Sequence, residues 1–504
     1  MLLWRSSLAH AENGSTLVIA DQRGDHGLLA PYTHAVNGFA YVFTSYVFDS
    51  LVGQNAQGSA VPALAAAWRL SADHLTWDLD LNRKAFWHDG KPVTTEDVLF
   101  TLDYMRRHPY VFATLDTIAS AAASGSNSLR IRLGRPDAGF IRNVLMALPI
   151  LPRHVYADQP SPRQFVSTLA ATGSGPYRLT KYDKAQGRYL LERNDNYYQG
   201  LPQFARIVIV RMSPEAAIEG IRRGDVDVLT DLPAELVARA KGAKVSMLTA
   251  TSAHVERLVF NHHGLLANRS ARQALACALD RQALVDIAHP GAADVAAIGY
   301  FQPGSPWFSS GAAQPYPHDR QRAERLFRSV GWQRSAQGRW EHSGKTITLR
   351  LVAEVRFRRM LMVVAEQLET FGIGVDLRIL EQASLQQTVS ANEFDLLLRS
   401  TSTMGDPSAL VTRVLGAAWM ADRYPDSDGR MRAVIERQAS VLGSEERRRL
   451  LGRFSEMYAD VLPSLMLANP TFSVAHGPRL IPVFIPDGIA SGIPVALPKS
   501  LLVA

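Results

Sequence analysis

Cysteine is almost absent: the 504 residues include one, Cys277. That excludes an intramolecular disulfide framework and a cysteine-rich metal site. Cys277 sits in the apolar stretch Ala274–Asp280, where a buried, inert thiol is expected. No apolar run approaches the eighteen or so residues that span a bilayer. A phosphate loop ending in Gly-Lys-Ser/Thr is missing, as are a Gly-x-Ser-x-Gly nucleophile elbow and a His-Glu-x-x-His zinc motif. Gly372 and Gly374 only begin a dinucleotide fingerprint, whose third glycine is absent. There is no short tandem repeat and no low-complexity tract, which removes solenoids, propellers and disordered chains. A long basic stripe is also lacking. The net charge is +7 and the pI about 9.5, but the densest cluster, Glu445 to Arg449, mixes both signs and reads as a solvated helix face. Nucleic acid is therefore not expected as a partner.

What is present is ordinary globular composition, 47% apolar and 20% charged, on a chain too long for a single core. Short strands alternate with helices. Thr16–Ala20 is a compact apolar run, and Leu75, Trp77, Leu79 and Leu81 alternate as in a half-buried strand. Asp89-Gly90 marks a turn, and Thr94 with Asp97 forms a capping-box-like helix start. Arg206–Arg211 reads as a strand, Ser213-Pro214-Glu215 as a helix start, Gly224 as its left-handed end, and Val226/Val228 as the next strand. The second half repeats this order. Helices are expected at 319–331, 360–371, 428–442 and 445–460, with strands at 346–352, 375–380 and 394–399. A polar loop spans 400–408, and the Pro-rich tail 463–504 reads as short extended segments. His262-His263 carries no metal site, since adjacent side chains on a strand point apart. The α/β alternation predicts an α/β chain of two or more lobes.

Five segments, in order over about residues 15–410, carry a resemblance. The first runs from Val61-Pro62-Ala63-Leu64 to Trp68, through Leu75-Thr76-Trp77, to Phe86-Trp87-His88-Asp89-Gly90-Lys91-Pro92-Val93 and Asp97-Val98. The second is Gly173-Ser174-Gly175-Pro176-Tyr177 with Arg193 to Tyr198, and the third is Gly220 to Leu229. The fourth joins Phe260-Asn261 and Arg272-Gln273-Ala274-Leu275 to Asp280-Arg281, a helix-end pair, and the fifth is Asp319 to Trp332. Together they resemble the family-five extracellular solute-binding proteins, the dipeptide-, oligopeptide- and nickel-binding components of ABC importers.

The resemblance implies a periplasmic-binding-protein-like two-lobed clamp (type II, cluster C-like) with a subdomain inserted in the first lobe. The expected divisions are 12–48 and 172–262 for lobe 1, 49–171 for the insert, 263–460 for lobe 2, and 461–504 returning to lobe 1. It implies a monomeric periplasmic protein without cofactor or catalysis. Such a protein traps a small solute in an interlobe cleft and presents it to the permease and ATPase of an importer. Ala9-His10-Ala11 fits a signal-peptidase site with only eight residues before it, so a clipped export signal is expected. A short peptide is the implied cargo, with a nickel or metallophore chelate as the alternative. A ligand-sensing regulator or a cleft hydrolase represents other classes. A regulator would need a DNA-binding domain ahead of the first strand, which about a dozen residues precede.

The same resemblance suggests where ligand would be met. Arg107-His108-Pro109-Tyr110 is similar to a nickel-binding segment, with Tyr for Trp. The loop after Phe394–Arg399 is where cargo contacts fall, which brings in Arg399, Thr401, Thr403, Met404 and Asp406. Thr403 stands where an amino-anchoring Asp is expected, Thr401 and Gly405 replace loop aromatics, and Asp406 adjoins Pro407, where a turn is expected. A guanidinium such as Arg107 or Arg399 in a dry site favours a carboxylate-bearing ligand.

Overall fold

The computed structural model describes residues 15–35, 38–251, 254–402, 405–418, 420–485, 488–489 and 495–503. The expected signal segment, Thr403 and Met404 lie outside the described residues. The chain forms two compact units, one made of residues up to 250 and from 472 onward, the other of residues 251–471.

In the first unit, strand Thr16–Asp21 runs parallel to Arg206–Arg211 on one side and to Val228–Leu229 on the other. Arg188–Arg193 and Tyr177–Asp183 extend the sheet antiparallel. The strand-helix-strand unit forms as its punctuation dictates. Ser213 accepts a hydrogen bond from the Ala216 N–H at 3.3 Å, Pro214 opens the helix Pro214–Arg223, and Gly224 closes it at φ 82°. A second, antiparallel sheet of four strands, Ala65–Leu70, Thr76–Leu81, Ser128–Leu133 and Ile118–Ala123, lies wholly inside the expected insert. Its Trp77, Leu79 and Leu81 share one core with Leu17 and Ile19 of the first sheet. Thr94 and Asp97 close the capping box of helix Thr95–Arg107 in both directions.

The glycines of Gly173-Ser174-Gly175-Pro176-Tyr177 allow backbones to touch. The Gly175 N–H donates to Val47 O at 2.9 Å and the Tyr177 N–H to Tyr46 O at 3.0 Å. The imidazole Nε2 of His88 lies 3.0 Å from Gly175 O. Ser174 donates to Asp49, which also takes the Tyr197 hydroxyl at 3.1 Å and the Lys499 ammonium.

In the second unit, strands Gly374–Leu380, Thr348–Glu354 and Leu396–Ser402 run parallel in that order. Helices Arg358–Thr370 and Gln382–Ser390 make the crossovers between them. His254–Phe260 pairs antiparallel with Leu396–Ser402 and with strand Ser464–His476. Those two pairings assign His254–Phe260 and residues 464–471 to the second unit. The chain therefore changes unit at 250/251 and 471/472, against the expected 262/263 and 460/461. Cys277 is fully buried among Ala274, Leu275 and Leu279.

Three expectations need correction. Ser464–His476 is one strand of thirteen residues, not a series of short segments. Asp280 does not end a helix; its side chain caps the start of Arg281–Ala288, and Arg281 is buried against the carbonyls of Ala296 and Met466. Arg447, placed on a solvated face, is 5% exposed, because a buried carboxylate claims it.

Candidate functional site

Strand Leu396–Ser402 is apolar and buried through Leu398, and then its chemistry changes. Arg399 follows, only 4% exposed, directly opposite Arg257 of the neighbouring strand. Residues opposite each other share a face, so both guanidiniums leave the sheet on the same side. Leu398 and Leu258 point the other way into the core of the second unit. Arg257 meets Asp422 at 2.5 Å, and the Tyr458 hydroxyl donates to the other oxygen of Asp422 at 2.8 Å. Ser464 lies 2.7 Å from that hydroxyl. Burial opposes the charge on Arg257, but Asp422 together with Tyr458 and Tyr300 outweighs it and holds the pKa above the ordinary value. For Arg399, burial and then the nearby Arg257 act together and bring the pKa down to about 9. Thr401 lies two residues on, on the same face and half-buried. Arg413 donates to Ser402 O at 3.3 Å.

Asp406 is differently placed. It is 9% exposed, and Arg447 grips it with two hydrogen bonds of 2.8 and 2.6 Å. It also accepts the Ser408 N–H at 2.9 Å, which caps the short helix Pro407–Ala409. Burial pushes its pKa up, but the Arg447 contact overrides that and holds the carboxyl below the usual range. The turn read from the adjoining proline is present, and the carboxylate is engaged within the fold.

In the first unit the two expected residues separate. Arg107, at the exposed end of its helix, pairs with Asp103 at 2.9 Å. Tyr110 is 5% exposed, with its hydroxyl 3.1 Å from His34 Nε2 and its ring edge-on to those of Tyr32, His34 and Phe112. Burial raises its phenol well above the ordinary value. Tyr110 lines a pocket of about 630 Å³ with Tyr41, Thr44, Phe48, Met146 and Lys499. A smaller pocket of about 300 Å³ is walled by Phe39, Phe43, Thr230 and Phe472, with the Arg23 guanidinium 3.6 Å above the Phe39 ring. Neither pocket was legible in the sequence, because its walls come from segments hundreds of residues apart.

Against expectation, His262 and His263 stand not on a strand but in a bend beyond strand His254–Phe260; His262 is buried and His263 exposed. His262 borders a pocket of about 620 Å³, edge-on to Tyr424 at 5.3 Å. Neither ring nitrogen completes a hydrogen bond of ordinary geometry. Burial first, then Arg272, lowers its pKa to about 3. The native state therefore stays neutral where the unfolded chain, at 6.5, takes a proton. Its contribution is fully present above pH 6.5 and is lost as pH falls toward 3. Between pH 7 and 4.5 this costs as much as about 3 kcal/mol. His262→Phe is expected to flatten that acid loss in urea unfolding and to raise stability at pH 7 by about 1 kcal/mol. Equal acid sensitivity in the variant would contradict this.

The model for bacterial extracellular solute-binding proteins, family 5, matches residues 59–422. The oligopeptide-binding protein AppA of Bacillus subtilis is 26% identical over 340 residues, 64% of this chain and 61% of AppA's own length. Di/tripeptide-binding protein 2 of Pseudomonas aeruginosa is 24% identical over 93% of this chain and 92% of that protein. In structure, NikA from Brucella suis, solved in complex with Fe(III)-EDTA, superposes with a TM-score of 0.80 at 21% identity, over 92% of this chain and 95% of NikA. That likeness shows the two-lobed α/β binding-protein fold. With the match covering most of the sequence and the fold in agreement, the chain belongs to family 5 of the bacterial extracellular solute-binding proteins.

Proposed function

We propose that this chain is the periplasmic substrate-binding component of an ABC importer. It captures a small solute, unchanged, and delivers it to a membrane permease and its ATPase. The cargo is a short peptide. The observation that carries this reading is the near end-to-end match to a di/tripeptide-binding protein, 93% of one chain and 92% of the other. Among the described residues no helix is long and apolar enough to cross a membrane, in keeping with an exported protein that meets its permease from outside.

Contact to the cargo is assigned to Arg399 and Thr401 in the second unit and to Tyr110, at the wall of its pocket, in the first. The loop positions Thr403 and Met404 complete the proposed contact set. Arg107 would serve from solvent once released from Asp103, and Asp406 through the turn it braces. A metal carried in a carboxylate chelator is the second reading. It is favoured by the buried Arg399, which suits chelator carboxylates as well as a peptide terminus.

Native mass spectrometry of the purified protein, before and after denaturation and refolding, tests both readings. Co-purified peptide masses support the first, and a metal-chelate mass replaces it with the second. The refolded protein is expected to gain about 2.7 kcal/mol of stability at a hundredfold excess of cargo over its dissociation constant, with the cargo recovered intact. A solute released chemically altered would overturn the reading.

A further inference from the structure

Helix Gly38–Thr44 of the first unit ends against the pocket of about 630 Å³ that Tyr110 lines. The described wall residues all belong to that unit. Most of the wall is hydrocarbon or ring, from Tyr41, Phe48, Val52, Met146, Ile485 and Ile489. Its polar side chains are almost all engaged with the protein. The Tyr41 hydroxyl donates to Ala147 O at 2.9 Å, that of Ser45 to Val42 O at 2.6 Å and that of Ser50 to Val52 O at 2.8 Å. His34 Nδ1 lies 2.8 Å from Ala35 O, which leaves Nε2 to accept the Tyr110 hydroxyl at 3.1 Å. Gln54 donates to Gly58 O and Gly488 O, and Lys499 to Asp49 and Phe48 O. Thr44 is the exception. It is 2% exposed, and its hydroxyl has no hydrogen-bond partner among the described residues. A buried hydroxyl left so is destabilising, and a water beside it would need about two to four polar partners on a wall whose other polar side chains are taken. Apolar walls with one convergent polar atom are the make-up of a small-ligand site.

We infer that this pocket receives a side chain of the cargo that is apolar along its length and carries one hydrogen-bonding atom, as tyrosine does, with Thr44 as the specificity-determining contact. The inference rests on the importer reading with a short peptide as cargo, in which Tyr110 is already a contact, and it names the kind of peptide. A phenol suits both parts of the wall. Tyr41, Phe48 and Tyr110 offer rings, and Met146 a sulfur, for its ring to pack on. Its hydroxyl can give a hydrogen to Thr44 Oγ1 or accept one from it. Phenylalanine covers the wall but leaves Thr44 unpaired, and serine does the reverse. One methylene more or less in an apolar pocket changes affinity roughly tenfold to two-hundredfold, and one neutral hydrogen bond roughly threefold to tenfold.

The test uses the full chain, refolded free of cargo, and alanine tripeptides with tyrosine, phenylalanine or serine placed at each position in turn. Calorimetry is expected to find one position where tyrosine binds roughly tenfold or more above serine and roughly threefold to tenfold above phenylalanine. Thr44→Val keeps the shape and removes the hydroxyl. It abolishes the preference for tyrosine over phenylalanine, keeps both above serine, and raises the melting temperature of the cargo-free protein. Ser45→Phe sets a ring into the pocket from a half-buried position and brings tyrosine and phenylalanine down to serine. Where that variant fails to fold, the ratio in Thr44→Val decides, since a merely structural Thr44 would move the melting temperature and not the ratio. Equal affinity for the three residues at every position, or a tyrosine-to-phenylalanine ratio that survives Thr44→Val, overturns the inference and leaves the importer standing. If no peptide binds, p-cresol and toluene read the pocket directly. A Thr44-dependent preference for p-cresol then sinks the peptide cargo and keeps the chemistry of the pocket, and no preference sinks both.

Discussion

Replacing Gly173 by alanine is expected to cost at least about 4 kcal/mol, the range reached only when a substitution breaks a fixed feature of the fold. A β-carbon at that position would lie 1.8 Å from Val47 O and 2.6 Å from Val47 C. Those are backbone atoms, so no side-chain rotation relieves the overlap; the 46–49 segment or the 173–177 segment must move. Moving either one breaks the Gly175-to-Val47 and Tyr177-to-Tyr46 hydrogen bonds and unseats Ser174 from Asp49. Gly90→Ala is the control. Gly90 has φ 88° but no heavy atom within 4 Å of the added carbon, so only the backbone preference is lost, about 1 kcal/mol. Urea unfolding of both variants measures the difference, and similar midpoints would show that the 173–177 segment yields easily.

The second large effect is expected at Asp406. Alanine there leaves the Arg447 guanidinium buried without its partner, and breaking such a pair from one side costs about 3–5 kcal/mol. Asparagine is expected to fall between, since its carbonyl can still accept from the Ser408 N–H while the charge pairing is lost. Replacing both partners, Asp406→Leu with Arg447→Met, should recover most of the loss, because a matched apolar pair needs no counter-charge. In the folded double variant cargo affinity is expected to fall only as far as loss of the Ser408 N–H contact loosens the turn. A drop in affinity without a drop in stability would mean that Asp406 meets the ligand after all.

How far the sequence could be read depended on the distance between partners. The helices at 95–107 and 214–223 were legible because their caps, Thr94 with Asp97 and Ser213 with Gly224, are local. Strand Thr76–Leu81 was legible from its alternation. The long strand Ser464–His476 was not, since Asn469-Pro470 interrupts it. Pro470 stands there opposite Ala293 of the three-residue strand Ala293–Val295. Arg447 looked like any residue of a charged helix face, and nothing within four residues of it announces Asp406, forty-one positions away. Arg399 was placed by family spacing alone. Its opposition to Arg257 depends on strand register, which a single sequence does not encode.

The discontinuity of the first unit sets an order of assembly. Residues 251–471 are contiguous and hold everything their core requires, so that half can close as soon as it has emerged. The half made first in synthesis cannot. Its strand Val228–Leu229 waits for Ala475 and His476, the hydroxyl of Tyr46 for Leu497 O, and the N–H of Gln203 for Leu502 O. The earliest-made segment thus reaches its native form last, and a chain stopped some ten residues short would leave its older half unfinished beside a completed younger one.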